Sequence, residues 1–595
     1  MKFSRYTFIS ILCLLSGSLH AELGPIVVTG TKTAVSQARS AVPVEVITSE
    51  QIRNSAATDA ADLIQLYSNV DIARNGAYGK TTSIFIRGAE SNHTLVLIDG
   101  VKMNPATIGL AALQNISPNI IERIEIVKGP RSSLYGSDAI GGVINIITRK
   151  NIDGARLNVV AGVGEDDTTK TGVSALYGNS TLSTGITVEQ FDSDGIPITD
   201  ASDQDHGYDN QTINAFFDIQ AGRSDFRFSY WEAQGNTEYY AFDDLDQDFE
   251  NSVSSAVWDY ALNGNISSNL RISSITDNID QKQANFLAEF DFADTERNEI
   301  EWKGDYQTES DLIYSLGILT AEEKVNARSF GTRINEDTDI NAAYVMLQNQ
   351  SETSSYNVVL RETDHDDFGH HTTWNIDYRY WVSDGTNIYV GAGTAFRAPD
   401  TSDRFGFIGN PDLDPETSET IELGVVHQLT ENNILSITYF ENRIDDLIEP
   451  NATFTRMENI HKAKITGVEA NLQGQRERWH YGFSVLAQDP VNEETDETLS
   501  RRAKSRINAR LRYQQDRWQL GGDVTRVGKR DNSSFDSVEL DSYNVANVFM
   551  RYHFTKSLDL FTRIENVFDE NYETAAGFNT KGSTAYAELS FTLVK

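Results

Sequence analysis

Ile120-Ile121-Glu122-Arg123-Ile124-Glu125-Ile126-Val127-Lys128-Gly129-Pro130-Arg131-Ser132-Ser133-Leu134-Tyr135-Gly136-Ser137-Asp138-Ala139-Ile140-Gly141-Gly142-Val143-Ile144-Asn145-Ile146-Ile147-Thr148-Arg149 is the most informative stretch of this 595-residue chain. Two β-branched runs, Ile124–Val127 and Val143–Thr148, flank a middle punctuated by Gly129-Pro130, Gly136 and Gly141-Gly142. That pattern predicts two strands joined by a long, turn-rich connection. It closes a small domain near residue 150.

Upstream, Val42–Ile47 reads as a strand and Ser49 as a helix N-cap, while Ala60, Leu63, Ile64 and Tyr67 recur at the spacing of one helix face. Ser83–Arg87 and Thr94–Asp99 are two more strands, stopped by Gly88 and Gly100. The prediction is an α+β domain whose turns, near Gly76–Thr82 and Met103–Leu110, are where a ligand is met. Further back, Gly24-Pro25 and Gly30 bracket Ile26-Val27-Val28-Thr29. A β-prone run near a free terminus can lend its unpaired backbone to the sheet edge of a partner. Residues 1–21 have the build of a secretory signal peptide, with Lys2 and Arg5, an apolar run around Phe8–Leu15, and cleavage after Ala21. Cys13, the single cysteine, lies inside it. The exported chain is therefore held without disulfides.

Downstream, the periodicity changes to alternation. Ala546, Val548, Met550, Tyr552 and Phe554 share one face of a strand, and Asn547, Arg551 and His553 the other. After a turn at Thr555–Ser557, Leu558, Leu560 and Ile564 continue against Asp559, Arg563 and Glu565. From residue 151 on there is room for some twenty such strands, which suits a closed transmembrane β-barrel with lipid outside and a polar lumen; about 22 strands leave about 20 residues for each strand and its connection. Ser383-Asp384-Gly385-Thr386 is a short turn of the periplasmic kind, whereas the acidic stretches near 192–210 and 236–252 read as long external loops. The formal net charge of −37 argues against nucleic acid as a partner and is compatible with cation-binding loops.

Few motifs suggest chemistry. Asp203-Gln204-Asp205-His206-Gly207-Tyr208-Asp209 places oxygen donors at alternate positions beside a glycine, which suits a hard cation. Asp364-His365-Asp366-Asp367 and His370-His371 fall between two strands and read as a loop rather than a metal site. No phosphate loop, zinc-protease helix or nucleophile elbow occurs, so nothing supports an enzyme.

The 120–149 stretch resembles the end of the plug domain of TonB-dependent outer-membrane receptors, most of all those for cobalamin. Phe396-Arg397-Ala398-Pro399 followed by Gly409–Glu416, Arg501-Arg502-Ala503-Lys504, and Glu565–Tyr572 before the final strand carry the same likeness. The resemblance implies a signal peptide (1–21), a TonB-box segment (22–35), a plug (36–150) and a barrel of about 22 antiparallel strands (151–595) with the plug inside its lumen. Ile26, Val27, Val28 and Thr29 fall at the TonB box, and the TonB energy-coupling protein is the partner. Thr81, Ser83, Glu90, Ile108, Gly109, Arg501 and Arg502 fall where cobalamin is touched. Asp203 and Asp205 match calcium ligands of ordered external loops, with Asp194, Glu238, Asp243 and Asp246 as further partners. Glu90 replaces an expected Asn, Pro105-Ala106-Thr107 departs from the usual loop, and the last strand ends without a terminal aromatic residue.

The function implied is energised import of cobalamin by a monomer embedded in outer-membrane lipid. A ferric-siderophore or haem receptor is the alternative, although no histidine lies between Phe396 and Glu416, where haem receptors place an iron ligand.

Overall fold

The computed structural model describes residues 27–28, 32–33, 35–150, 153–241, 243–283, 289–329, 331–451, 453–533 and 538–595. The expected signal peptide, residues 1–21, and Ile26 and Thr29 of the expected TonB box lie outside the described residues.

Twenty-two antiparallel strands, from Gly154–Gly164 to Thr584–Val594, form a closed barrel, and the first and last pair from Arg156 with Val594 to Gly164 with Tyr586. Closure is what permits a sheet to sit in hydrocarbon, because every backbone N–H and C=O then has a partner. Side chains alternate in and out along each strand. On Leu312–Ser329, Leu316 and Ile318 face outward, and Ile318 is 52% exposed, while Ser315, Leu319 and Ala321 are buried. Trp258, Tyr306, Tyr314, Tyr380, Trp479 and Trp518 are exposed near the short turns, at the same end as Gly154 and Lys595. They form the aromatic girdle of one membrane interface. The turn expected at Asp384–Gly385 joins Gly369–Ser383 to Thr386–Arg397 at this end.

The acidic stretches depart from expectation. Residues 192–210 and 236–252 are largely paired strand rather than free loop: Leu182–Ile196 pairs with His206–Ala221, and Ser224–Tyr240 with Asp244–Ala261 as far as Tyr240 opposite Asp244. The ladder simply continues beyond the apolar belt. There the outward face meets water instead of lipid, while the inward face packs on the plug through Tyr208 and Phe249, so the alternation of a lipid-facing strand is lost and these strands look like loop in sequence.

Inside the lumen, the plug builds a five-stranded sheet in the order Glu45–Ile47, Ile121–Lys128, Gly142–Thr148, Thr94–Ile98, Val101–Lys102. Thr94–Ile98 and Gly142–Thr148 run parallel, the other pairs antiparallel. The connection between the strands of the 120–149 stretch contains a short helix, Ser132–Tyr135, ended by Gly136 at φ +91°. A separate hairpin, Val70–Arg74 with Thr82–Ile86, carries the first of the two turns expected to meet a ligand. Helix Ala60–Tyr67 is capped by Asp59, and helix Ser49–Arg53 by Thr48 in a box with Gln51, so Ser49 is the first helical residue rather than the cap. Leu63, Ile64, Ile84, Ile98, Ile124, Ile126, Ile144 and Ile146 fill the plug core. That core continues into the barrel wall through Tyr208, Trp231, Phe249, Val253 and Ile275. On the opposite side, Ile140 joins a wall cluster with Phe440, Ile465 and Leu486.

Ile318→Arg should destabilise the barrel by about 2–4 kcal/mol, the cost of a cation in the middle of the lipid-facing belt. Urea titration of folding into phospholipid vesicles measures it, and a loss below about 0.5 kcal/mol would place Ile318 off the bilayer midplane, toward an interface.

Candidate ligand site and the plug–barrel interface

The outer face of the plug is assembled around the turn Ser91–His93. Ser91 Oγ accepts from Ile84 N at 2.8 Å, tying this turn to the first hairpin. On the other side, Gly109 packs against Asn92 at φ +65°, where an added Cβ would lie 3.0 Å from the Asn92 Cβ. Thr81, Ser83 and Phe85 have the same parity on their segment, and Thr81 is exposed. Arg502 comes down from the connection between Trp479–Asn492 and Ser505–Gln515. Its Nε donates to Gly88 O at 3.2 Å, its guanidinium lies 5.3 Å from the Phe85 ring centre, and it forms an ion pair with Glu90. Glu90, Gly109 and Arg502 therefore meet around one turn, with Ile108 38% exposed beside them. Arg501 does not join them. With φ +62°, it turns aside, and its N donates to Asp531 O at 2.6 Å.

Sequence reasoning missed what holds this face from below. His93 is fully buried, and its Nε2 lies 3.0 Å from Glu416 Oε2. Arg397 reaches the same carboxylate at 2.7 Å, reaches Asp400 at 2.7 Å, and pairs with Asp403. The helix Thr401–Phe405 then leans onto the second turn, with Thr401 N donating to Ala106 O at 3.0 Å and Ser402 N to Thr107 O at 2.8 Å. Phe396–Pro399 was a visible motif; its partner His93, 323 residues away from Glu416, was not.

The rest of the plug is fastened by ions. Arg87 lies 2.9 Å from Glu422 and 3.2 Å from Glu469, and Lys128 lies 2.9 Å from Glu469. Arg131 meets Asp377 at 3.1 Å, and Lys102, paired within the plug to Asp138 at 2.8 Å, lies 3.6 Å from Glu323 of the wall. Burial alone would lower the Lys128 ammonium, but Glu45 and Glu469 raise it overall, so it stays charged. Arg74 lies 2.7 Å from Asp59, yet burial still pushes that carboxyl up to about 7.

Near the amino end, Val27–Val28 pairs antiparallel with Val35–Ser36. Just beyond, the Lys32 ammonium sits 2.5 Å from Glu301, between the rings of Tyr135 and Tyr344. Burial brings it down to about 8 against the pull of Glu301.

The six residues expected to hold calcium are not gathered. Asp194, Asp203, Asp205 and Glu238 are exposed. Glu238 accepts from Gly207 N at 2.8 Å, Asp246 accepts from the Asn236 amide, and Asp243 accepts from Asp244 N at 3.0 Å. Among the described residues no three acidic, histidine or cysteine side chains converge on a point a metal could occupy. The donor set as it stands does not fit a calcium ion.

Residues 155–567 match the family described as TonB dependent receptor-like, beta-barrel, and residues 36–143 match the TonB-dependent receptor plug domain. A protein of Vibrio vulnificus named vitamin B12 transporter BtuB is 30% identical over 570 residues, covering 92% of this chain and 91% of its own. One of Photobacterium profundum with the same name is 28% identical over 574 residues, 92% of each. Among solved structures, the siderophore receptor PirA from Acinetobacter baumannii superposes with a TM-score of 0.79 at 18% identity, covering 94% of this chain and 99% of that one.

Glu469→Ala leaves Arg87 and Lys128 short of a shared buried carboxylate. Unpairing buried charges costs about 3–5 kcal/mol. The plug should unfold at lower urea while the barrel keeps its midpoint, read by protease cleavage within 36–148. An unchanged plug midpoint would mean that the pairs add nothing to its retention.

Proposed function

Because this chain belongs to the TonB-dependent receptor family, transporters of the outer membrane, we propose that its cargo is cobalamin or a related corrinoid. The family places the barrel in the outer membrane and couples it to TonB. Two relatives named as vitamin B12 transporters, alike over nine-tenths of the chain, support the choice of cargo.

The observation that carries the reading is the balance of charge around the plug's outer face, in the barrel connections over it and the pairs beneath it. Arg502 is matched by Glu90, Arg397 by Asp400, Asp403 and Glu416, and Arg404 by Asp367 at 2.7 Å. A highly anionic ferric complex would have to break such pairs and then face the liberated carboxylates, at a steep electrostatic cost. A bulky ligand of low net charge and many amide groups does not. It can lie over Ile108 while it exchanges hydrogen bonds with Thr81, Ser83, Glu90 and Arg502. Its affinity comes from plug and external connections together, so one monomer holds a whole site.

Energy then enters at the other end. TonB pairs with Ile26–Thr29 by strand addition, for which the hydrogen bonds of Val27–Val28 to Val35–Ser36 must be shared or given up. Release of Lys32 from Glu301 follows when that segment is drawn toward the periplasm. The plug's ionic fastenings are the part of the interface that can be exchanged for water, and rearranging them opens the path through the lumen.

Cyanocobalamin should bind the detergent-purified protein saturably, and neither ferric enterobactin nor haem should displace it; binding of a ferric siderophore without cobalamin would sink this cargo. Val27→Pro removes a strand donor and fixes φ. It should reduce uptake by whole cells to background and leave surface binding intact, whereas equal loss of both would count against strand addition at this segment.

A further inference from the structure

We propose that the Lys80 ammonium is a tethered internal cation that fastens the outer ends of two barrel strands to the plug, in the region for which the family likeness implies calcium. Lys80 closes the first ligand-facing turn and is almost fully buried. An ammonium has three N–H donors and no acceptor. Here all three are used, on His206 O at 3.1 Å, Gly207 O at 2.8 Å and Thr237 Oγ1 at 3.2 Å. Two backbone carbonyls and a hydroxyl are the hard oxygen donors that a group 2 cation takes. In this protein a side chain of the plug has reached them first.

The surroundings fit a permanent occupant. Gly79 lies beneath the Tyr208 ring at φ +69°, and a Cβ there would stand 1.9 Å from the ring, so the turn is pressed against the wall with no room for a larger residue. Tyr208 OH donates to Asn115 Oδ1 at 3.0 Å, a second tie between the same strand and the plug. Burial brings the Lys80 amine down to about 7, and Glu238, whose carboxylate accepts from Gly207 N, opposes that from the solvent side. His206 is held in turn by Asp244 at 3.1 Å. A divalent ion entering this cage would have to displace the Lys80 side chain from its three oxygens, and its protonated form would repel that ion strongly in low dielectric. The carboxylates that remain, Asp194, Asp203 and Asp205, look outward into water.

The inference stands apart from the choice of cargo. It makes the order of the connection 197–205 a property of the chain rather than of the calcium concentration. It also gives the plug a grip on the wall directly beside the turn that meets the ligand.

Hydrogen–deuterium exchange on the full chain in detergent, with calcium chloride or with EDTA, tests it over residues 199–210 and 234–241. Wild-type exchange should be the same in both conditions. Lys80→Met, which keeps the stem and removes the charge, should exchange roughly tenfold or more faster in both segments, since hydrogen bonds to a charged group are lost. Thr237→Val removes one acceptor and should give a smaller rise; it carries the test if Lys80→Met fails to fold. Wild-type protection that collapses in EDTA, or variants that exchange like the wild type, would overturn the proposal.

Discussion

A backbone N–H in hydrocarbon has no water to donate to, and the structure is arranged around that fact. The sheet must close, so the strand after the plug has to pair with the strand that ends the chain. A closed sheet of 22 strands encloses a lumen too wide for its own side chains to fill. The plug occupies that lumen, and its surface must suit a wall of inward-facing polar and charged residues. Hence the pairs of Arg87, Arg131 and Lys128 with Glu422, Asp377 and Glu469. Each is a weak source of net stability and a strong source of register, because a displaced plug would leave several buried charges without partners.

The plug is also held in a second way. Its core runs into the wall at Tyr208, Trp231 and Phe249. Apolar contact is indifferent to small slips, whereas charge pairs and the Lys80 cage fix position. Function needs both, a seal that stays shut and fastenings that can be exchanged.

Much of this was legible in the sequence for physical reasons. Alternation such as that of Val548, Met550 and Tyr552 against Asn547 and Arg551 survives because lipid and lumen make opposite demands on one strand. The plug strands showed through their β-branched runs and stopping glycines. What stayed hidden is non-local or geometric. Strand pairing above the belt, as between Asp192 and Asp209, carries no lipid-facing apolar side to betray it. Arg501 and Arg502 are adjacent and chemically alike, and only the positive φ at Arg501 decides which one reaches the plug. Thr48 caps the first helix rather than its neighbour Ser49, a difference of one residue that hydroxyl chemistry alone does not settle. His93 belongs to no motif in the sequence, and its partner Glu416 lies 323 residues away.

The ion pairs that fasten the plug also set a timetable. Arg87 meets Glu422 and Glu469 across 335 and 382 residues of chain, and Arg502 meets Glu90 across 412. The plug is made first, yet its cations have no permanent partners until the later barrel strands exist. Contacts of such sequence separation form late and slowly. Until they form, the charges of the plug can be met only by water.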